Sequence, residues 1–270
     1  MLNKRLNGVL LMKLFDKMIR GLASLKGIEH EIRLQESEKE AIKVDREFHQ
    51  AENSNHIICN GRSIKIDWDM VITHDDPTGR LLPDNCYKTV KTERTPNMFV
   101  AHWDVCLSSK ICFNVLKKRK LSVHFLIDND GTIYQIMDTN HIAYHAGNRK
   151  VNNNSIGVEI SNAYYPRYQK TYVQKGHGER PLLADSQVHG RTLEPHLGFY
   201  PVQEQAFAAL AKALNKAYGI SLEVPMENGQ MVKTIYKDAY AGTFNGVVNH
   251  YHITKRKIDC AGFKVDEVIK

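Results

Sequence analysis

No run of consecutive apolar residues is long enough for a transmembrane helix, which excludes a helical membrane protein. No Cys-x-x-Cys pair occurs among Cys59, Cys86, Cys106, Cys112 and Cys260, so a cysteine-rich zinc module is not expected. The cysteines read as reduced, partly buried thiols. Cys106 and Cys112 bracket one apparent helix and are the pair that could join in an oxidising compartment. No RNP, zinc-finger or basic-zipper signature is present, and nucleic acid is therefore not favoured as the partner. The first residues, MLNKRLNGVLLMKLF, superficially resemble a signal peptide. However, Lys13 interrupts the apolar run and no small-residue cleavage site follows. The chain is accordingly expected to lack a conventional export signal and to be cytoplasmic at synthesis.

What is present is an ordinary globular composition over 270 residues, with a net charge of +7 and a pI near 9.0. Such a charge suits an anionic partner, whether nucleic acid, an acidic membrane or a cell-wall polymer. Residues 1–55 read as an amphipathic, then highly charged, helical arm. Leu6, Leu10, Leu14, Met18, Leu22 and Leu25 form its stripe, fit for packing on protein, self-association or a membrane surface. Composition changes at Ala51 to Asn55, and residues 56–270 read as the main domain.

Ile57 to Trp68 reads as a hairpin about Asn60-Gly61. His74-Asp75-Asp76 could pass for a metal cluster, but Pro77 and Gly79 mark it as a turn. Asn97 to Ala101 reads as a strand delivering His102, followed by a helix capped by Ser108 or Ser109 and running to about Leu116. Ser122 to Ile127 and Thr132 to Met137 form a hairpin about Asn129-Asp130-Gly131. Tyr164 to Pro195 is a long tyrosine- and glycine-rich insertion, expected as a rim or lid around a site. Pro201 to Tyr218 is the clearest helix, with Phe207, Leu210, Ala211, Leu214 and Ala217 facing the core and Gly219 ending it. Gly246 to Asn249 is a strand ending at His250, and Val265 to Ile269 a last helical turn.

One residue is out of place. Glu159 interrupts the apolar strand Ser155 to Ile160, where an unpaired carboxylate costs several kcal/mol in desolvation. Three other features could converge on it: His102, His250, and an anionic ligand at Asp259 or Cys260. Two imidazoles plus one anionic ligand is the composition of a catalytic zinc site, with His252 a further candidate beside His250. Zinc there would polarise a carbonyl for amide hydrolysis. Glu159 could then take the proton from the attacking water, and Lys257 could stabilise the developing oxyanion.

From Met98 to Gly262 the chain resembles the zinc-dependent N-acetylmuramoyl-L-alanine amidases of type 2, whose fold the peptidoglycan-recognition proteins share. The resemblance rests on FVAHWD, SVHFLIDNDGTIYQ, YHAG, SIGVEISN, FYPVQEQAFAALAKAL and NHYHITKRKIDCAG. It implies an α/β fold with a central mixed β-sheet flanked by helices and a zinc cleft at strand ends. By position it implies His102, His250 and Asp259 as Zn2+ ligands, with Cys260 as the fallback. Glu159 becomes the general base and Lys257 a catalytic aid. His124 and His145 are expected to line the cleft or to be structural, and Asn162 to contact substrate. The implied reaction is hydrolysis of the amide between N-acetylmuramic acid and L-alanine in peptidoglycan, by a lytic, phage-type or recycling enzyme. The alternative is a non-catalytic peptidoglycan-binding protein on the same fold.

Overall fold

Asn60 and Gly61 both adopt positive φ, 52° and 70°, and so close the expected hairpin between β1 (His56–Cys59) and β2 (Arg62–Lys65). The computed structural model describes residues 55–270, and the expected N-terminal arm lies outside the described residues. Six further strands form the central sheet: β3 (Val71–Ile72), β4 (Met98–Trp103), β5 (Phe125–Ile127), β6 (Ile133–Gln135), β7 (Ser155–Ile160) and β8 (Gly246–Asn249). Their spatial order is β8-β4-β7-β5-β6-β3. Only β5 and β6 pair antiparallel, which makes the sheet mixed.

Every residue of β4 is buried, as a central strand covered on both faces requires. On one face, Phe99, Ala101, Ile156, Val158 and Val247 pack on Phe207, Leu210, Ala211 and Leu214 of helix Pro201–Tyr218. Phe99 and Phe207 stack with centroids 5.0 Å apart. Gly219 ends that helix at φ 71°, the left-handed cap that glycine adopts without strain. The opposite face carries a smaller cluster of Met98, Val100, Val248, Ala146, Val151 and Ala239. The functional side chains occupy the remainder of this second face.

Several boundaries differ from expectation. Strand β4 extends through His102 to Trp103, so His102 lies within the strand rather than after it. The helix after it, Ser109–Arg119, runs three residues beyond Leu116. Ser108 occupies the expected N-cap position with extended backbone, but its side chain makes no capping hydrogen bond. Instead, Asp128 Oδ1 accepts from the Ser109 N–H at 3.1 Å. Strand β5 starts only at Phe125, because Ser122 donates to the Cys86 carbonyl and accepts from the Tyr144 N–H. The segment His74-Asp75-Asp76 is a turn, with Asp76 accepting from Thr78. All five cysteines are free thiols.

The insertion after Asn162 is built of short pieces, including helix Gln169–Gln174 and a ladder pairing Leu182–Leu183 with His196–Leu197. Buried Arg180 pins it to the sheet. The guanidinium donates to the Ser161 and Gly198 carbonyls and to Gln203 and Asn129, between the rings of Tyr172 and Tyr200 at 4.3 and 4.2 Å. Arg94 plays a similar part below the sheet, donating to the carbonyls of Thr139, Asn153 and Ser155. Among the described residues no helix is long and apolar enough to cross a membrane.

Candidate metal centre and its cleft

Strands β4 and β8 are parallel neighbours, so side chains at their C-terminal ends meet on the same edge of the sheet. His102 comes from β4, and His250 from the single turn that follows β8. The next loop returns to the same place because the Tyr251 N–H donates to the Asp259 carbonyl at 3.0 Å. Three donor atoms converge: His102 Nδ1 and His250 Nδ1 lie 2.9 Å apart, and Asp259 Oδ2 lies 3.1 and 2.9 Å from them.

The surrounding hydrogen bonds fix where the protons are. Ser155 donates its hydroxyl to the Val151 carbonyl at 2.7 Å, and so receives the Nε2–H of His145 at 3.1 Å. His145 Nδ1 is then an acceptor, and His102 Nε2 lies 2.9 Å from it as the donor. That leaves His102 Nδ1 as a bare lone pair facing a carboxylate and a second imidazole. Burial, followed by the His250 ring, lowers the His102 pKa to about 4, which keeps that ring neutral. Burial pushes the Asp259 carboxyl up, but the two histidines outweigh it and hold the group well below the usual carboxylate range. Neutral imidazole and ionised carboxylate are the forms that ligate a cation, so these residues fit zinc. His145 is the outer partner that sets the tautomer of His102. Gly157 makes this possible, since a Cβ there would sit 2.8 Å from His145 Nδ1.

Glu159 stands opposite His102 in the register of β7 and β4, on the same cleft. Its Oε2 is buried and makes no hydrogen bond among the described residues. Burial pushes its pKa well above the ordinary value, reinforced by Asp104, Asp259 and Cys106 and opposed by Lys257. Asp104 itself accepts from the backbone of Cys106 and Asn162 and from Ser161, yet burial still raises it to about 7. The cleft encloses about 310 Å³ and is also lined by Trp103, Tyr164, Tyr165, Arg119, Arg256 and Lys257.

Three expectations need correction, those for Cys260, His252 and Asn162, and for His124 the structure selects one of the two alternatives. Cys260, the fallback ligand, is fully buried in the apolar cluster beneath Pro201–Tyr218, where desolvation raises its thiol pKa well above normal. His252 is committed to backbone, accepting from the Asn249 N–H and donating to the Val232 carbonyl. His124 does not line the cleft. It accepts from the Gly157 N–H and donates to the His141 carbonyl, both at 3.0 Å, which is a structural role. Asn162 is likewise fully buried, its amide donating to the Leu197 and Gly198 carbonyls, so it shapes the cleft without touching what enters. His145 does line the cleft.

A family model described as N-acetylmuramoyl-L-alanine amidase matches residues 67–262. The chain belongs to that amidase family. No curated protein matches it. Similar solved structures include a mutant endolysin from Bacillus subtilis, 18% identical, covering 74% of this chain and 98% of that one with a TM-score of 0.42. The N-acetylmuramoyl-L-alanine amidase LysC from Clostridium intestinale URNW is 17% identical, covering 73% and 93% with a TM-score of 0.40. A selenomethionine derivative of AmpD is 18% identical, covering 71% and 93% with a TM-score of 0.40.

Proposed function

We propose that this chain is a zinc-dependent hydrolase of the amide joining N-acetylmuramic acid to the L-alanine of the peptidoglycan stem. The observation that carries the reading is the placement of Glu159, whose Oε2 is buried and unpaired among the described residues, in one cleft with the His102, His250 and Asp259 donor set. His102 Nδ1, His250 Nδ1 and Asp259 Oδ2 would hold the metal, which supplies Lewis acidity toward the amide carbonyl and the attacking water.

The remaining chemistry belongs to the protein. Glu159 takes the proton from the attacking water as its oxygen bonds to the carbonyl carbon. It then gives that proton to the departing alanine nitrogen as the C–N bond breaks. A carboxylate whose pKa is raised by burial is suited to both transfers near neutral pH. Lys257, also on the cleft, places a cation where oxyanion charge develops. A third role falls to the cationic side of the cleft, where Arg256 and Lys257 attract the carboxylates of an acidic stem peptide.

We read the enzyme as a lytic or recycling amidase with peptidoglycan as its partner. The rival, a binding protein without catalysis, is disfavoured because a complete donor set and a base share the cleft. The test is zinc dependence. Chelated full-length chain should release no new alanine amino termini from purified murein, and one equivalent of zinc should restore release. Equal activity with and without metal would sink the metal assignment.

A further inference from the structure

The cleft has two arms that differ in what predominates along them. From the donor set, one arm runs past Tyr144, His145 and Arg256 toward Arg149, Lys150 and Tyr240, and among the described residues no acidic side chain lines it. The other arm is aromatic, walled by Trp103, Tyr164 and Tyr165, none of which borders the cationic arm. A muramoyl amide presents an acidic peptide on one side of the scissile bond and a sugar on the other. If the peptide follows the cations, the sugar must meet the aromatic wall.

That wall is built in advance. Tyr164 holds φ at 66°, a left-handed backbone that a bulky non-glycine residue rarely adopts and that persists only where surroundings enforce it. Here the enforcement is visible. The Tyr164 N–H donates to Asn162 Oδ1 at 2.7 Å, and its carbonyl accepts from the Leu197 N–H at 2.8 Å. Its ring stacks on the buried ring of His196, centroids 4.9 Å apart and planes 14° from parallel. Tyr165 meets Tyr164 at a right angle, with centroids 5.1 Å apart. Arg167 lies over the Tyr165 ring at 4.4 Å and steadies it, yet 43% of Tyr165 remains exposed. A large aromatic kept rigid and half in solvent beside a reaction centre is poised to cover something. The C–H face of a pyranose ring, flat and apolar with polar edges, matches a tyrosine that is apolar in its ring and polar at its tip.

We propose that Tyr164 and Tyr165 form a stacking subsite for an N-acetylhexosamine ring of the glycan strand, with Tyr165 its exposed contact. This rests on the amidase reading of the cleft, which sends the peptide to the other arm. The insertion therefore makes the enzyme a reader of sugar as well as of peptide.

The test separates the two readings by measuring binding without hydrolysis. The probe is a peptide-free tetrasaccharide of alternating N-acetylglucosamine and N-acetylmuramic acid, titrated into the zinc-stripped full-length chain. Wild-type protein should bind it, Tyr165→Ala should bind about tenfold more weakly, and Tyr165→Trp should bind as well as wild type. On intact murein, Tyr165→Ala should raise KM with little change in kcat. Circular dichroism establishes that the variants are folded, and because Tyr165 is half exposed neither substitution opens a core. No binding of the tetrasaccharide to wild type, or equal binding by Tyr165→Ala, would overturn the subsite. So would Tyr165→Ala weakening a free stem peptide instead. Failure of the amidase reading would appear elsewhere, as absence of murein cleavage by the zinc-loaded wild type.

Discussion

His102 and Glu159 sit directly opposite one another on adjacent parallel strands, so a metal-ligand candidate and the candidate base project from the same face of one sheet. Their separation is set by strand pairing rather than by a loop, which is the more rigid way to hold a catalytic pair. It also separates their roles cleanly enough to test. Glu159→Gln keeps the shape of the side chain and leaves the donor set untouched. Bound zinc, measured by elemental analysis, should be unchanged, while turnover should fall by about 10²–10⁴-fold. His102→Ala should lose both.

The Ser155–His145–His102 chain of hydrogen bonds predicts an effect on metal affinity from residues that are not ligands. His145→Phe removes the acceptor that fixes the proton on His102 Nε2. Gly157→Ala crowds the same ring, since its Cβ would meet it at 2.8–3.0 Å. Each should weaken zinc binding by about 10–100-fold in a competition titration against a chelator. Unaltered affinity in both would remove His145 from the centre.

Asp259 and Cys260 are neighbours with opposite fates. Asp259→Asn should abolish tight zinc binding. Cys260→Ala should retain it and instead cost about 1 kcal/mol in denaturant unfolding, because the thiol fills space in the core.

Arg180 predicts a stability effect without a chemical one. Arg180→Met removes one of two donors from the Ser161 carbonyl, the Gly198 carbonyl and Gln203 Oε1, which keep Gln203, Asn162 and the Tyr200 N–H. It also takes from Asn129 Oδ1 its guanidinium donor. Losing these charge-assisted hydrogen bonds together with the two ring contacts should cost about 2 kcal/mol. The insertion, including Tyr164 and Tyr165, should become the first segment to exchange its amide protons.

His124 should make the protein acid-sensitive. Its folded pKa is lowered from 6.5 to about 3 by burial and then by Arg94, so the folded ring stays neutral where the unfolded one is protonated. Its contribution is complete above pH 6.5. As pH falls below that value the unfolded state takes up a proton that the folded state refuses. Stability therefore drops by about 1.4 kcal/mol per pH unit until about pH 3. His124→Asn should be less stable at pH 7 yet show a pH slope reduced by about one proton across that window. An unchanged slope in urea titrations would contradict the assignment.

Much of this was legible in the sequence, for physical reasons. Periodicity exposed Pro201 to Tyr218, and β-branched runs exposed the strands. Glu159 stood out because a carboxylate in an apolar strand demands a reason. Other features left no such trace. Arg94 and Arg180 read as solvated charges, because their acceptors are mostly backbone carbonyls brought together from distant segments. Gly157 is visible only once the ring of His145 is seen against it. The choice between Asp259 and Cys260 depends on which of two adjacent side chains the loop turns toward the cleft, and the side chain that faces the two imidazoles is that of Asp259. His124 and Asn162 lie in the right motifs but one layer too deep to meet a substrate.

The central claim is the identity of the bond that is cut, and isotope placement tests it most directly. Zinc-loaded full-length chain would be incubated with a soluble N-acetylmuramoyl-L-alanyl peptide in water enriched in oxygen-18, and the products weighed by mass spectrometry. The account predicts two products, with one heavy oxygen in the carboxylate of the muramic-acid lactyl group and none in the peptide, whose alanine amine is newly free. Label in a peptide carboxylate or at the sugar's reducing end, or no products at all, would contradict it.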